Sequence, residues 1–222
     1  MSYPGGKGGA GVYQTIINQQ PPHDVYIEAF LGGGSVLLAK RPASTNIGID
    51  ADAAVAAKWS GVSGLEVVWD DAIVYLDKRR CQLPPSTLVY CDPPYVLSSR
   101  SRNRLLYAHE MTDAQHARLL TVLEGLPCMV QISGYYSAMY AKALSKWRMI
   151  RFMAMTRGGL REECLWMNYP VPAALHDYSY LGADYRDRER IKRKASRWAA
   201  RVTSLPELER KAILSEILSR QN

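Results

Sequence analysis

The segment Val25-Tyr26-Ile27-Glu28-Ala29-Phe30, followed by Leu31-Gly32-Gly33-Gly34-Ser35, decides the fold of this 222-residue chain. Residues 25–30 form a short apolar run that is typical of a buried strand, and residues 35–40 have helical spacing. The three glycines between them predict a tight turn at which a ligand can approach the backbone closely. As a dinucleotide fingerprint the turn is incomplete, because Leu37 stands where the third glycine belongs. A tight turn that binds nothing is the alternative.

The alternation of short apolar runs with helical segments continues to about residue 180. Further strands are predicted at 46–50, 65–69, 87–91, 128–133 and 149–155. Helices are predicted at 13–17, at 113–126 and in an alanine-rich segment that ends at residue 59. Strands that alternate with helices indicate an α/β fold with a mostly parallel sheet and helices on both faces.

The composition changes near Gly182, so we expect a main domain at residues 1–181 and a helical extension at 182–222. Between Asp184 and Arg201 there are eight basic against three acidic residues, a net charge of +5. This pattern predicts a basic helix at 186–202, which indicates either a polyanion partner or a solvated helix face. Ser204-Leu205-Pro206-Glu207 has the pattern of a capping box that opens a second helix.

Composition excludes several classes of protein. The whole chain carries 28 Lys and Arg against 21 Asp and Glu, a net charge of +7. No apolar run reaches the roughly 18 residues of a membrane span, and the first residues lack the pattern of a secretory signal. The four cysteines include no CxxC pair and the four histidines no HExxH pattern. We therefore expect a cytoplasmic protein with reduced thiols, no membrane span and no metal.

The motif Asp92-Pro93-Pro94-Tyr95 ends the strand predicted at 87–91. Two prolines cannot continue a hydrogen-bonded ladder, so the chain leaves the sheet at the carboxyl end of this strand. In open α/β sheets, ligands bind at that edge. The motif therefore marks a candidate site.

The residue types of this motif suit the methylation of an exocyclic amino group. The Asp92 carboxylate and the Pro93 carbonyl can accept the two amino hydrogens, while Tyr95 offers a ring on which a flipped-out base can stack. A sulfonium cofactor would carry the activated methyl group, so the protein contributes orientation and electrostatics. Because an ordinary Asp has a pKa near ~4, Asp92 is predicted to position the amino group and stabilise charge, with later loss of the proton to water.

The chain resembles the Dam-like (D12 class) adenine-N6 DNA methyltransferases, especially small phage-encoded members, over about residues 1–170. Asp92 to Tyr95 is similar to the catalytic motif of that family, and Asp50 falls on its ribose-binding acid. The other matching segments are Tyr3-Pro4-Gly5-Gly6-Lys7, the glycine turn (with Ala29 where proline is usual), Trp69-Asp70-Asp71-Ala72, Ile132-Ser133-Gly134-Tyr135 and Arg161-Glu162-Glu163-Cys164-Leu165-Trp166.

The resemblance implies a Rossmann-like class I methyltransferase fold that uses S-adenosylmethionine. By the same resemblance, the catalytic residues are Asp92, Pro93, Pro94 and Tyr95. The residues that it places at the cofactor are Tyr3, Lys7, Glu28, Phe30, Gly32, Gly34, Ser35, Asp50, Asp71 and Asp92. Either Asp70 or Asp71 can be the acid beside the cofactor adenine.

The chain departs from site-specific family members in one respect. Only 20 residues separate Asp71 from Asp92, which leaves no room for a recognition insert. We therefore expect relaxed or very short sequence recognition of DNA, with phosphate contacts supplying most of the affinity. The predicted nucleic-acid contacts are Arg100, Arg102, Arg104, Tyr107, Tyr135, Arg190, Lys192, Arg193, Lys194 and Arg197. We expect a monomer or weak homodimer, and the phage-like resemblance is consistent with evasion of restriction.

Two other functions remain open from the sequence. The same chemistry serves an adenine in RNA, such as ribosomal RNA, and a non-catalytic nucleic-acid-binding protein could retain a vestigial cofactor site. Away from the motifs, Trp59, Trp69, Trp147 and Tyr90 are predicted in the core. His109 and His116 are predicted on a loop and on a helix surface, respectively, without a catalytic role.

Overall fold

The computed structural model describes residues 6–9, 11–96, 109–156 and 159–220. The chain divides into two compact units between Tyr178 and Ser179, three residues before the boundary that the composition predicted.

In the first unit the strands are β1 (Val25–Ala29), β2 (Thr45–Asp50), β3 (Glu66–Trp69), β4 (Thr87–Cys91), β5 (Met129–Gly134), β6 (Arg148–Thr156) and β7 (Gly159–Met167). Its helices are α1 (Val12–Ile17), α2 (Ser35–Ala39), α3 (Ala53–Trp59), α4 (Ala72–Arg79), α5 (Asp113–Glu124) and α6 (Ala138–Ala143), with a 3₁₀ turn at Arg80–Gln82.

The seven strands form one sheet in the order β3-β2-β1-β4-β5-β7-β6. β1 pairs in parallel with β2 and β4, β2 with β3, and β4 with β5. β7 runs antiparallel to β5 on one side and to β6 on the other. The carboxyl ends of β1, β2 and β4 therefore meet at one edge, since Ala29 lies opposite both Ile49 and Cys91. The predicted α/β fold with a mostly parallel sheet is confirmed.

Helices cover both faces of the sheet. On one face the apolar side chains of Ile27, Val89 and Val130 pack in the main core with α4, α5 and α6. The helix α1 lies on the other face. Val130 and Ile132 of β5 point into the main core, so Gln131 between them points to the opposite face, where its side chain donates a hydrogen bond to the Ile16 carbonyl of α1. Strands that are buried on both faces explain why β1 and β4 consist almost entirely of apolar residues.

The second unit consists of α7 (Tyr185–Thr203) and α8 (Glu207–Ser219). The basic helix is present, but the capping box predicted from Ser204 is wrong. Because α7 extends through Thr203, Ser204 lies at its carboxyl end, where its hydroxyl donates to the Arg201 carbonyl. The backbone of α8 begins after Pro206 without a side-chain cap.

Two predictions about single side chains are also wrong. Trp69 is 69% exposed, because it ends the edge strand β3 and its indole N–H donates to the Ala51 carbonyl. His116 is fully buried, since α5 turns it towards α6, where its Nδ1 lies 2.9 Å from the Tyr140 hydroxyl. Both outcomes depend on the neighbouring element rather than on the local sequence.

None of the helices in the described part of the chain has the length and apolar character that crossing a bilayer requires.

Candidate active site

The glycine turn follows β1 and brings backbone to the edge of the sheet. Phe30, Gly32 and Gly34 all have positive φ angles, of 68°, 46° and 56°. A side chain at Gly34 would also meet Trp59, because a Cβ there would lie 2.4 Å from the indole ring. Trp59 Nε1 in turn donates to the Gly32 carbonyl over 3.0 Å. Backbone geometry therefore favours glycine at positions 32 and 34, and packing also requires it at 34. Phe30, predicted as the end of the strand, already belongs to the turn.

Asp50 holds the turn from the end of β2. Its Oδ2 accepts a hydrogen bond of 2.8 Å from the Gly32 amide, and its Oδ1 accepts one of 2.9 Å from the Asp52 amide. Burial raises the pKa of this carboxyl, while the two amide donors oppose the rise. Each oxygen has a second lone pair, so Asp50 can still accept hydroxyl donors from a ligand.

A cleft opens at this edge, between the ends of β1, β2, β3 and β4. It is lined by Phe30, Asp50, Ala51, Asp52, Asp71, Ala72, Ile73, Asp92, Pro94, His109, Glu110, Met111 and Gln115. Acidic side chains alternate with apolar ones around it, which suits a ligand with hydroxyl groups and an aromatic ring. Of the two acids that the sequence left open, Asp71 lines the cleft, where it also caps α4 by accepting from the Val74 amide.

Asp92 lies in this cleft directly after β4. Its Oδ1 accepts hydrogen bonds from Lys7 Nζ over 2.7 Å and from Ser133 Oγ over 2.9 Å. Among the described residues, none donates a hydrogen bond to Oδ2. One oxygen of the carboxylate is therefore held in place by donors from two distant segments.

Tyr95 is mostly buried next to Asp92, with 7% of its surface exposed. Its ring makes an edge contact with Tyr135 at a centroid distance of 4.5 Å. The Lys7 ammonium donates to its hydroxyl and lies 4.9 Å from its ring centroid. The catalytic motif is thus joined to the amino-terminal segment through one lysine.

Lys7 is 4% exposed and is paired with two carboxylates. Besides Asp92, it lies 3.5 Å from Oε2 of Glu163 on β7. Burial alone would lower the pKa of Lys7, but Asp92 and Glu163 outweigh burial, and the pKa is raised. Lys7 is therefore an ammonium ion at neutral pH, and in this structure it contacts Asp92 and Tyr95.

Glu28, predicted at the cofactor, does not line the cleft. It is 3% exposed and accepts a hydrogen bond of 2.8 Å from the Tyr26 hydroxyl. Burial raises the pKa of Glu28 to about 8. The structure thus places this carboxyl in the protein interior rather than at the cleft.

The remaining predicted residues fall in three places. Pro93 and Pro94 continue from Asp92, while Ser35 opens α2 directly after the glycine turn. Tyr3, Arg100, Arg102, Arg104 and Tyr107 lie outside the described residues. Lys192, Arg193, Lys194 and Arg197 are exposed on α7, and Arg190 forms a 2.7 Å ion pair with Asp187 one turn earlier.

Several residues of this site were not predicted as such. Ser133 and Glu163 contact the Lys7–Asp92 pair, and the cleft is also lined by Asp52, Ile73, His109, Glu110, Met111 and Gln115. Ser133 and Glu163 each stand in a segment quoted for the family resemblance, and Glu163 is an acid at the start of an apolar strand run. That position is the only sequence feature that singles it out. Within the described ranges, no group of three or more His, Cys, Asp or Glu side chains could hold a metal ion.

The family model described as D12 class N6 adenine-specific DNA methyltransferase matches residues 73–156. This segment includes Asp92 to Tyr95, so the predicted resemblance is confirmed there. No curated protein matches the sequence.

Several solved structures are similar to this chain at low sequence identity. A precorrin 8W decarboxylase from Methanobacterium thermoautotrophicum is 12% identical over 76% of this chain and 94% of its own, with a TM-score of 0.45. A SAM-dependent methyltransferase from Agrobacterium tumefaciens is 9% identical over 70% of this chain and 58% of its own (TM-score 0.45). An rRNA methylase from Streptococcus thermophilus is 9% identical over 70% of this chain and 92% of its own (TM-score 0.44).

Proposed function

We propose that this protein is a DNA adenine-N6 methyltransferase that uses S-adenosylmethionine and has relaxed or very short sequence specificity. The observation that carries the proposal is the Asp92 carboxylate, which lines the cleft and is anchored through Oδ1 by Lys7 and Ser133. The family match over residues 73–156 supports methyl transfer to adenine.

The cleft fits S-adenosylmethionine by the chemistry of its lining. Asp50 and Asp52 offer carboxylate oxygens to ribose hydroxyls, beside the backbone of the glycine turn. Phe30, Ile73 and Met111 offer apolar surface to an adenine ring. When bound there, the cofactor supplies a methyl group already activated on sulfur.

The chain's own contribution is to orient the acceptor nitrogen. The lone pair of the adenine amino group is delocalised into the ring, which makes the nitrogen a poor nucleophile. Hydrogen bonds from its two N–H groups to Asp92 Oδ2 and to the Pro93 carbonyl would draw the nitrogen towards tetrahedral geometry. Transfer of the methyl group would leave positive charge on the acceptor nitrogen beside Asp92, and the carboxylate would stabilise that charge. The nitrogen then loses one proton to water.

The chain between Asp71 and Asp92 supports relaxed specificity. α4, the 3₁₀ turn and β4 occupy nearly all of it, so this part of the structure holds no recognition domain. The exposed bases of α7, with Arg100, Arg102 and Arg104, are left to bind phosphates, which carry no sequence information.

The test is incubation with labelled S-adenosylmethionine and, in parallel, duplex DNA, single-stranded DNA or ribosomal RNA, followed by identification of the modified base. We expect N6-methyladenine in DNA. Methylation of RNA alone would favour an RNA methyltransferase, and a methyl group on cytosine would overturn the proposal. Mapping of methylated adenines on a plasmid tests specificity separately, where one fixed site of four or more bases would contradict relaxed recognition.

A further inference from the structure

Glu163 is a buried carboxyl group beside the catalytic motif that the mechanism above does not use. It is 4% exposed and stands at the position of β7 that pairs with Phe152 of β6. It does not line the cleft, so a substrate in the cleft would not reach it directly. Its ion pair with Lys7, at 3.5 Å, connects it to the site.

Lys7 bridges Glu163 and the catalytic motif. Its ammonium donates hydrogen bonds to Asp92 Oδ1 at 2.7 Å and to the Tyr95 hydroxyl, and it forms an ion pair with Glu163 at 3.5 Å. Because Lys7 and Glu163 are both buried, solvent screens their attraction only weakly. Glu163 thus restrains the lysine that holds one oxygen of Asp92.

The three groups also set the local charge. Burial raises the pKa of Glu163, while the neighbouring Lys7 opposes the rise. When all three groups are ionised, two carboxylates and one ammonium give the Lys7–Asp92–Glu163 group a net charge of −1. If Glu163 were neutral, the ammonium would balance Asp92 completely. Methyl transfer moves positive charge from sulfur to the amino nitrogen next to Asp92, and a net negative group stabilises that charge better than a neutral one.

We propose that Glu163 is a positioning residue for methyl transfer, which anchors Lys7 and keeps the group around Asp92 net negative. The inference rests on the proposed function, because it assigns Glu163 a part in the same reaction. It distinguishes Glu163 from Glu162, the preceding residue, whose exposed carboxylate pairs with Arg151 at 3.0 Å.

The test compares Glu163→Gln with the matched control Glu162→Gln in single-turnover methylation of DNA. For Glu163→Gln we expect the rate of methyl transfer to fall roughly 10- to 100-fold, as is common when an outer partner of a catalytic group is removed. The Kd for S-adenosylmethionine and the KM for DNA should change less than threefold. Glu162→Gln should keep the wild-type rate, and Glu163→Asp, which retains the charge, should recover part of it.

A purely structural role for Glu163 would lower the melting temperature and the amount of active enzyme but not the rate per cofactor-binding site. A wild-type rate in folded Glu163→Gln would therefore overturn the inference, as would a lower rate in Glu163→Asp than in Glu163→Gln. If Glu163→Gln did not fold, Glu163→Asp alone would test the inference. A fall of more than 100-fold in its rate of methyl transfer would then contradict the charge argument. If the wild type itself did not methylate adenine, the proposed function would fail and this inference with it.

Discussion

Lys7 Nζ and Asp92 Oδ1 lie 2.7 Å apart although 85 positions separate the two residues in the chain. The contact joins the amino-terminal segment to the end of β4, and Ser133 donates to the same oxygen from β5. Three distant segments thus converge on one carboxylate atom.

Replacement of Asp92 by Asn should abolish most of the methyl transfer. An amide is neutral and cannot stabilise the charge on the amino nitrogen, so we expect a loss of about 100- to 1000-fold in the single-turnover rate. The exposed acid Asp77 offers a control, since it makes only a weak 3.9 Å pair with Arg118. If Asp92→Asn and Asp77→Asn were equally active, Asp92 would not be the catalytic acid.

Replacement of Gly34 by Ala should disrupt the glycine turn. The new methyl group would lie 2.4 Å from the Trp59 ring at a φ of 56°, so we expect a loss of about 2–5 kcal/mol in unfolding free energy. Gly61 is the matched control, because its φ is 82° but nothing lies within 4 Å of a Cβ there. Gly61→Ala should therefore cost only the backbone strain of about 1–2 kcal/mol. Equal losses, measured by denaturant unfolding, would contradict the packing argument.

The stability of the protein should fall as pH rises because of Glu28. Its pKa is about 8 in the folded protein and 4.5 ordinarily, so between these values the unfolded chain releases a proton that the folded chain retains. The buried Lys40 faces Glu28, and burial lowers the pKa of Lys40 to about 8. Lys40 therefore changes the stability of the protein between pH 8 and 10.5, above the range in which Glu28 does. Tyr26, which donates to Glu28, has a pKa well above 10 and does not titrate in either range.

Glu28→Gln tests this interpretation by melting in the absence of cofactor. The amide cannot ionise, so we expect the variant to melt more than about 3 °C above the wild type at pH 8 and to show a flatter dependence below it. The exposed Glu66 serves as the control, and Glu66→Gln should follow the wild-type curve. The prediction would be contradicted if the melting temperature of the wild type rose from pH 5 to pH 8 and that of Glu28→Gln rose by the same amount.

The basic face of α7 should bind DNA phosphates. Replacement of Arg190, Lys192, Arg193 and Lys194 by Ala should weaken DNA binding and flatten its salt dependence. The slope of the logarithm of the binding constant against the logarithm of salt concentration should fall by up to about 0.9 for each phosphate that the helix no longer neutralises. Cofactor affinity should not change. The control is a variant with Lys58, Lys78, Lys142 and Lys146 replaced by Ala, which removes the same charge from exposed positions of the first unit. An unchanged slope in the α7 variant would exclude this helix from the interface.

Local patterns predicted most of the fold because strands and turns depend on short-range rules. β4 was predicted at its observed bounds, since an apolar run followed by two prolines leaves few alternatives. The glycine turn and Asp50 were likewise predicted, and the structure joins them through a 2.8 Å hydrogen bond. The buried position of His116 and the exposed position of Trp69 could not be predicted, because each depends on what the neighbouring element covers.

The amino-acid sequence by itself determined the alternation of strands and helices, the glycine turn, the proline corner and the acid that begins it. Each follows from the conformational limits of residues that are adjacent in the chain. Only the tertiary structure decided that Lys7, Ser133 and Glu163 surround that acid, because strand order brings together residues far apart in sequence. The charge around Asp92 is a property of that assembly, since it depends on which side chains share one buried volume.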